Sequence, residues 1–483
     1  MNKRAFLILA FTALLSPALF AGWSEMQRLT YRGGEYAPKI IARNDTLHVA
    51  WYQIADSQKV SYLRSINNGQ NWGDLLDLSA WGHRGVFVNL TQDRGKLLAG
   101  WADYPPSGQA NMGYSLTEDG NNWTVPAYII GGGSIIDLPT ATALSGDSIY
   151  GVYYAYNRDS TGNRPFRFLY SSDLGQTWSN EQTVAYSFNY CNSLLINKCG
   201  GVLYIVFTGN PVPESTTFET QVVLSRDGGQ TWSEKTILSQ NGGWAAQAAC
   251  LSCNRLNGFL AVGWMDYGYP GYLYLRITEN LGYNWGPEIQ AITSHLISSP
   301  NLEFVADTLW AAWVDHSFTD HWQLGYSRST DRGITWEAPQ RLTETSGGSL
   351  SPWLSYDHGK LHLVWEERAS PPDNNTDIYY KWWEAGSGIN WESDQSQNEH
   401  LICYPNPFNT KVRIDYSNVK GGEIHIYDIS GRLIRFLQVK DKNEGQVIWD
   451  ATDGLGQPIA SGIYIAKARL LNGFNTTKLI HLK

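Results

Sequence analysis

Four segments of the sequence end in the same short pattern, a tryptophan followed two residues later by an acid. They are Trp101-Ala102-Asp103, Trp264-Met265-Asp266, Trp313-Val314-Asp315 and Trp365-Glu366-Glu367, each at the end of an apolar stretch. Carboxylates and guanidinium groups orient hydroxyl or acid groups, and aromatic rings supply apolar contact. The pattern therefore predicts a polar pocket with an aromatic rim that could hold a sugar.

We predict that six side chains line one face of the protein around a central axis. Five of them follow a predicted second strand, and the sixth begins an innermost strand, so all six should emerge on the same side: Arg84, Asp103, Asp266, Asp315, Glu367 and Arg368. A second interpretation stays open. Because the acid repeats, it could simply satisfy backbone N–H groups in each loop.

The sequence does not identify a nucleophile, and it predicts neither a cofactor nor a metal site. Cys250-Leu251-Ser252-Cys253 is a lone CxxC motif without a second cysteine pair or a histidine cluster. The net charge of −9 comes without a basic stripe, which argues against nucleic acid as a partner.

A second repeat marks the elements that must position these residues. Ser225–Trp232 reads SRDGGQTW, and its serine, acid, glycine and tryptophan recur, wholly or in part, at Ser65–Trp72, Leu116–Trp123, Ser171–Trp178, Thr278–Trp285, Ser329–Trp336 and Glu384–Trp391. The copies at Leu116 and Glu384 are the most degenerate. The closing tryptophans are 51 to 55 residues apart, and such a fixed period is typical of a repeat array.

The chemistry of this motif suits a turn. A short polar side chain can bond nearby backbone N–H groups, glycine supplies a positive φ, and tryptophan buries a large apolar surface. We therefore expect Asp173, Asp227 and Asp331 to lie at hairpin turns remote from the ligand face.

Each repeat contains four predicted strands, as in a β-propeller blade. No fourth strand follows Trp391, whereas Trp23–Leu29 looks like a fourth strand without a motif before it. We expect this N-terminal segment to complete the last blade, which closes the ring and removes an exposed sheet edge. The sequence thus predicts an all-β protein, a seven-bladed β-propeller over residues 22–392 followed by a small C-terminal β-sandwich.

The two ends of the chain have other roles. Residues 1–21 combine a basic start, an apolar run too short to span a bilayer and a small residue at Ala21, which is typical of a signal peptide. No other segment is apolar enough to cross a membrane. Residues 393–402 are a predicted linker and 403–483 a separate domain. Cys199 and Cys253 occupy equivalent turns of adjacent repeats, and we hypothesise a bridge between them.

The repeated motif resembles the Asp box of the sialidase superfamily, also called the BNR repeat, over roughly residues 23–391. The C-terminal motifs, among them Tyr404–Asn409 and Glu423–Arg432, resemble the type IX secretion sorting domain and the immunoglobulin-like part of the flagellar hook-capping protein. These resemblances imply a Bacteroidetes-type protein that is secreted or held at the outer cell surface, with export machinery as one partner.

The sialidase resemblance is incomplete. Sialidases usually have six blades, and the place of their first arginine reads Tyr36-Ala37-Pro38-Lys39 here. We therefore expect a propeller that binds a glycan or other surface polymer, without efficient sialidase activity. An acidic rim with two arginines, Arg84 and Arg368, suits a polyhydroxylated ligand better than a strongly anionic one, so we expect a neutral glycan rather than sialic acid. The alternatives are an exo-α-sialidase or other glycoside hydrolase, and an adhesive platform for proteins.

Overall fold

The computed structural model describes residues 22–482, apart from 55–57, 107, 109, 130–135, 160–162, 189–190, 213–214, 240–246, 255–257, 267–269, 318–320, 370–374, 385–400, 405, 418, 420–421, 430, 440–443 and 471–472. The predicted signal peptide, Trp391 and residues 393–400 of the predicted linker lie outside this part. All regular elements of the described chain are strands, so the all-β prediction is confirmed.

Two short strands, β1 (Gly22–Trp23) and β2 (Gln27–Arg28), precede seven antiparallel sheets arranged like propeller blades. Sheet 1 contains β3 (Glu35–Arg43), β4 (Thr46–Gln53), β5 (Val60–Ser65) and β6 (Leu76–Asp77); sheet 2 contains β7 (Arg84–Asp93), β8 (Lys96–Tyr104), β9 (Asn111–Thr117) and β10 (Ala127–Ile129); sheet 3 contains β11 (Ile136–Ser145), β12 (Ser148–Ala155), β13 (Arg164–Ser171) and β14 (Gln182–Ser187).

The next four sheets repeat this order. Sheet 4 contains β15 (Cys191–Cys199), β16 (Val202–Gly209), β17 (Glu219–Ser225) and β18 (Thr236–Ile237); sheet 5 contains β19 (Gln247–Asn254), β20 (Phe259–Asp266), β21 (Gly271–Thr278) and β22 (Ile289–Ser294); sheet 6 contains β23 (Ile297–Val305), β24 (Thr308–Asp315), β25 (Gln323–Ser329) and β26 (Gln340–Arg341); sheet 7 contains β27 (Gly348–Asp357), β28 (Lys360–Arg368) and β29 (Thr376–Glu384), with β1 and β2.

The first strands of the seven sheets contact one another in chain order, and β27 of sheet 7 contacts β3 of sheet 1. Because the strands of each sheet alternate in direction, the loops fall on two sides. We call the side with the loops that follow second strands and precede first strands the upper face. The opposite side, with the first hairpin of each sheet and the repeated motifs, is the lower face.

The N-terminal segment closes the last sheet. Gly22 and Trp23 pair with Glu384 and Trp383, and β2 pairs further along the same strand, β29. Arg28 Nη2 lies 2.5 Å from the buried carboxylate of Asp377. The pairing predicted from the sequence is confirmed, and β29 is no longer an exposed edge.

Neighbouring sheets are also joined by side chains that bond backbone N–H groups of the next first strand. These bonds run from Phe304 N to Ser252 Oγ at 2.9 Å, Leu354 N to Asn301 Oδ1 at 2.8 Å, Tyr356 N to Glu303 Oε1 at 3.0 Å and Ala42 N to Ser355 Oγ at 2.9 Å. A disulfide between Cys199 and Cys253 links sheets 4 and 5, as hypothesised, with their Cα atoms 6.0 Å apart.

The repeated motifs form one kind of turn. Ser171 Oγ donates to Asp173 Oδ1 at 2.7 Å and accepts from Gly175 N at 2.7 Å, while Asp173 Oδ1 accepts from Thr177 N at 2.8 Å. Equivalent bonds occur in the motifs that begin at Ser65, Ser225, Thr278 and Ser329. Hydrogen bonds from the hydroxyl and N–H of Thr177 hold the pKa of Asp173 at about 2.

The copy at Leu116–Trp123 is less degenerate than its sequence suggests. Thr117 takes the place of the serine, because its hydroxyl donates to Asp119 Oδ1 and accepts from Gly120 N. Asp119 then accepts from the next two backbone N–H groups. In this copy the acid is followed directly by the glycine, whereas one residue separates these two positions in the five copies above, so the threonine does not align with the serines in sequence.

Each of these turns also packs on the preceding sheet. The tryptophan contacts an aromatic ring of the preceding third strand in four copies, with ring centroids 5.3 Å apart for Trp72 and Tyr380, 4.8 Å for Trp123 and Tyr62, 5.8 Å for Trp178 and Tyr114, and 4.8 Å for Trp232 and Phe168. Gly175 has a φ of +88°, and a Cβ there would lie 2.0 Å from the Tyr114 hydroxyl. Glycine is therefore required both for the turn and for the contact between sheets.

Asp227→Ala should lower the free energy of unfolding by about 0.5–2 kcal/mol, the scale for losing a side-chain cap, without affecting ligand binding. The change removes the acceptor for the N–H and hydroxyl of Thr231. Asp227→Asn is the matched control and should cost less, because Asn67 and Asn280 accept equivalent bonds. Urea unfolding measures both. An alanine variant that keeps full stability but loses ligand affinity would show that this acid belongs to a binding site.

Two buried histidines support this packing from equivalent places in sheets 1 and 7. His48 Nδ1 lies 2.7 Å from the Tyr62 hydroxyl, and His362 Nδ1 lies 2.7 Å from the Tyr380 hydroxyl. Burial lowers the pKa of His48 to about 4 and that of His362 to about 3. Both imidazoles are therefore neutral in the folded protein at neutral pH.

These histidines should make the protein sensitive to acid. Their folded pKa values lie below the unfolded value of about 6.5. The free energy of unfolding is therefore not reduced by these histidines above about pH 6.5. As the pH falls toward 4, each histidine lowers it by up to about 3 kcal/mol. Urea unfolding between pH 7 and pH 4 measures this slope. His48→Gln and His362→Gln should flatten it, and an unchanged slope in both variants would contradict the assignment.

The C-terminal residues form two further antiparallel sheets. One contains β30 (Leu401–Tyr404), β31 (Val412–Ser417) and β34 (Glu444–Trp449); the other contains β32 (Glu423–Asp428), β33 (Leu433–Gln438), β35 (Gly462–Leu470) and β36 (Gly473–His481). Their buried side chains, including Ile414, Ile426 and Trp449, form one apolar cluster. Strand β30 begins at Leu401, two residues before the predicted start of this domain.

Candidate functional site

The sixth residue of every second strand is aromatic, counted from the hairpin. These residues are Trp51, Trp101, Tyr153, Phe207, Trp264, Trp313 and Trp365, and the residues two positions later are Gln53, Asp103, Ala155, Gly209, Asp266, Asp315 and Glu367. An acid or amide thus follows each tryptophan, whereas alanine or glycine follows the tyrosine and the phenylalanine. Since only tryptophan carries an indole N–H, this pattern indicates that the acid or amide is present to accept a hydrogen bond from the indole.

The geometry supports this explanation in three sheets. Trp101 Nε1 donates to Asp103 Oδ1 at 3.1 Å, Trp313 Nε1 donates to Asp315 Oδ2 at 2.8 Å, and Trp365 Nε1 donates to Glu367 Oε2 at 2.9 Å. The three acids are 0%, 1% and 7% exposed. Their carboxylates therefore satisfy indole groups that are buried between sheets.

Other donors occupy the same carboxylates. His83 Nδ1 lies 2.7 Å from Asp103 Oδ2. Asp315 accepts from Ser294 Oγ at 2.6 Å and from Ser317 N at 2.7 Å, and Glu367 Oε2 accepts from Ser349 Oγ at 2.6 Å. This favours the interpretation left open by the sequence, that the repeated acid satisfies local donors, although most of these donors are side chains.

The other three predicted residues remain accessible. Arg84 and Arg368 are exposed, and Arg84 lies 5.8 Å from the centre of the Tyr104 ring. Asp266 is partly exposed, and burial together with Glu288 raises its pKa. All six predicted residues lie at the upper ends of their sheets, but among the contacts of the described residues none joins two of the six.

Asp315→Ala should lower the free energy of unfolding by about 1–3 kcal/mol, because it leaves the buried indole of Trp313 without an acceptor. Asp315→Asn keeps an acceptor oxygen and should lose less stability. Urea unfolding followed by tryptophan fluorescence measures both variants. If the alanine variant were as stable as the parent and had lost ligand affinity, the acid would belong to the binding site instead.

One charged residue breaks the repeat. The position between the aromatic residue and the acceptor holds Tyr52, Ala102, Tyr154, Thr208, Met265, Val314 and Glu366 in sheets 1 to 7, so only sheet 7 has a charge there. Glu366 is 6% exposed, and its Oε2 accepts from Ala37 N of sheet 1 at 2.8 Å. Burial raises the pKa of Glu366.

Lys39 lies near this carboxylate on the first strand of sheet 1. Its Nζ is 3.5 Å from the centre of the Trp353 ring of sheet 7, a cation–π contact. Burial lowers the pKa of Lys39 to about 7, against the opposing effect of Glu366. A lysine and a glutamate whose pKa values both move toward neutrality thus influence each other electrostatically across the junction of sheets 7 and 1.

A row of aromatic rings continues from this pair. The centroids of Tyr36 and Tyr52 are 5.8 Å apart in a stacked arrangement, and those of Tyr52 and Phe87 are 6.2 Å apart. Burial raises the pKa of Tyr52 to about 12, Glu366 adds to this shift, and Arg84 opposes it. The upper cluster is defined here as Tyr36, Lys39, Tyr52, Arg84, Phe87 and Glu366.

The backbone beside this cluster is strained. Ala37, Phe87, Ser299 and Ser351 have φ values of 48°, 55°, 47° and 53°. They belong to sheets 1, 2, 6 and 7 respectively, which are neighbours in the ring, and each lies at a register shift near the start of the first strand of its sheet. Positive φ is costly for residues other than glycine, and such strain is often kept at functional sites.

Sequence reasoning missed most of the upper cluster because it followed the repeat. Alternation along β28 places the Glu366 side chain on the opposite side of the sheet from Trp365 and Glu367. The available signal was the departure from the repeat at this position. From the sequence, Lys39 was noted only because it lies where sialidases carry their first arginine, and it was given no role.

Two other features of the described residues lie outside this cluster. A cavity of about 250 Å³ is lined mainly by first strands and includes Asn301, Glu303 and Trp353, but none of the six predicted residues. On the lower face, His358 Nδ1 lies 3.2 Å from Asp357 Oδ2 and 3.6 Å from Asp45 Oδ1. The imidazole can pair with both carboxylates, so this group does not require a metal ion.

Comparison with known proteins identifies the C-terminal part of the chain. Residues 402–482 match the secretion system C-terminal sorting domain. The protein thus carries a type IX sorting tail, interacts with the export machinery, and is secreted or placed at the cell surface. The described residues include no helix long and apolar enough to cross a bilayer.

Comparison of structures gives remote matches, and none of the curated proteins matches the chain. An ulvan lyase from a new family of polysaccharide lyases, solved with a glucuronate–sulphated rhamnose ligand, matches with a TM-score of 0.51 and 10% identity over 74% of this chain and 96% of the lyase. A Hadza microbial sialidase matches with a TM-score of 0.43 and 13% identity over 64% and 66%. PorZ, a type IX secretion component of Porphyromonas gingivalis, matches with a TM-score of 0.31 and 14% identity over 92% of this chain and 70% of PorZ. At these identities, the lyase shows similarity of fold alone.

Proposed function

We propose that this protein is a secreted or surface-held propeller that binds a glycan at the upper cluster. The row of Tyr36, Tyr52 and Phe87 beside the charges of Arg84 and Glu366 carries this proposal. Stacked rings offer apolar contact to the faces of sugar rings, and the charged groups orient hydroxyl or acid groups.

The architecture is part of the same proposal. Residues 22–392 form a closed seven-bladed β-propeller, 393–402 a linker, and 403–483 an immunoglobulin-like sandwich that directs sorting after removal of residues 1–21. The contact between β27 and β3 and the pairing of β1 with β29 support a closed ring.

Among the six residues predicted from the sequence, Arg84, Arg368 and Asp266 are proposed to contact the ligand directly. Their exposure supports this role. Asp103, Asp315 and Glu367 are proposed to contribute indirectly, by fixing the tryptophans and loops beneath the ligand.

Glycan binding at this site predicts that Arg84→Ala, Arg368→Ala and Tyr52→Ala weaken binding, by about tenfold or more for Arg84→Ala, on the scale of a central charged contact. Arg332→Ala on the lower face, whose salt bridge to Asp307 is exposed, is the matched control and should bind normally. A glycan array identifies the ligand, and titration calorimetry measures each variant. Unchanged binding in all three upper variants would reject the site, and binding of proteins but no glycan would favour an adhesive platform.

A second function, hydrolysis by a sialidase-like or other glycoside hydrolase activity, is supported by the shifted pKa values of Lys39 and Glu366. Groups whose pKa values are displaced toward neutrality by burial are suited to general acid and base catalysis. Turnover of a fluorogenic sialoside by the parent, lost in Arg84→Ala, Arg368→Ala and Glu366→Gln, would establish the enzyme in place of the binding protein.

A further inference from the structure

Exposed aromatic side chains are unevenly distributed between the upper and lower faces of the seven sheets. Among the described residues, five lie on the upper face, with exposed fractions of 74% for Tyr31, 90% for Trp81, 46% for Phe87, 55% for Tyr156 and 44% for Trp322. The lower face has Tyr283, at 45%. Accessible aromatic rings supply apolar contact to a ligand, so five of them on one face and one on the other favour the upper face as the binding side.

These five rings are spread around the ring of sheets. Tyr31 precedes sheet 1, Trp81 lies between sheets 1 and 2, and Phe87 begins sheet 2. Tyr156 follows the second strand of sheet 3, and Trp322 precedes the third strand of sheet 6. Sheets 3 and 6 are separated by two sheets in one direction and by three in the other. A single sugar unit cannot reach rings on sheets 1, 3 and 6 together.

Three of the rings have a cationic or imidazole neighbour. The guanidinium of Arg28 lies 4.4 Å from the centre of the Tyr31 ring, and that of Arg164 lies 5.0 Å from the centre of the Tyr156 ring. The His316 ring is 4.5 Å from the Trp322 ring. A ring beside a hydrogen-bond donor suits a sugar unit, whose faces are apolar and whose edges carry oxygen atoms, better than it suits a lipid chain.

We propose that the upper face holds a polysaccharide chain extended across several sheets, with the exposed rings acting as successive subsites. This inference rests on the proposed function and adds that the ligand is a polymer rather than a terminal sugar. Linked subsites add avidity without any new kind of contact, so affinity should rise with chain length until the ligand spans the rings.

The test measures binding of the mature chain to galacturonate oligomers of one, three and six units and to polygalacturonate, with cello-oligosaccharides of the same lengths as a neutral series. In the series that binds, the dissociation constant should fall by about tenfold or more from the trimer to the hexamer or polymer. Trp81→Ala and Trp322→Ala should each weaken polymer binding by about tenfold, while binding of the trimer should depend on at most one of them. Tyr283→Ala is the control and should change neither.

The outcomes separate the two proposals. Monomer or trimer binding as tight as polymer binding, or polymer binding unchanged by Trp322→Ala, would overturn the extended site and leave glycan binding at the upper cluster intact. Binding of neither series at any length would overturn glycan binding and the extended site together. Because the replaced side chains are exposed, the variants should remain folded, and circular dichroism of each variant checks this.

Discussion

The closing contact between the first and last sheets determines much of this structure. A ring of sheets needs a junction where its first and last sheets meet, and here two short N-terminal strands and the Arg28–Asp377 pair close the last sheet beside the first. The upper cluster lies at the same junction. Glu366 bonds Ala37 across it, and Lys39 covers Trp353 across it. The candidate site is therefore formed only when the ring is closed.

Two repeated interactions hold the seven sheets together. On the lower face, the described motifs combine a hydrogen-bonded turn with a tryptophan that packs on the preceding sheet. Within the sheets, a carboxylate accepts from the buried indole of the second strand. Both interactions are local in sequence, so they recur with the period of the chain. The variable loops of the upper face can then differ without disturbing the frame.

Locality also explains how much could be predicted from the sequence. The four-stranded unit, the turns and the closing N-terminal strand depend on short-range patterns such as Ser225–Trp232 and Trp23–Leu29, and these were predicted correctly. The candidate site was harder to predict, because repetition marks what the fold needs in every sheet. Asp103 and Asp315 repeat and are occupied by indoles, whereas Glu366 and Lys39 occur once. Their proximity is a contact between the first and last sheets, which no short-range pattern reports. Asp103, Asp315 and Glu367 are buried and accept hydrogen bonds from indoles, so they do not form the exposed acidic rim on which the expectation of a neutral ligand was based.

The disulfide between Cys199 and Cys253 lies on the side of the ring away from the junction of sheets 7 and 1. The ring is thus fastened covalently at one place and by hydrogen bonds and an ion pair at the other. Disulfides persist in oxidising surroundings and are rare in the reducing cytoplasm. A chain that carries a sorting tail leaves that compartment, and its covalent fastening can last only on the far side. Export from the cytoplasm therefore also allows the disulfide between sheets 4 and 5 to form and persist.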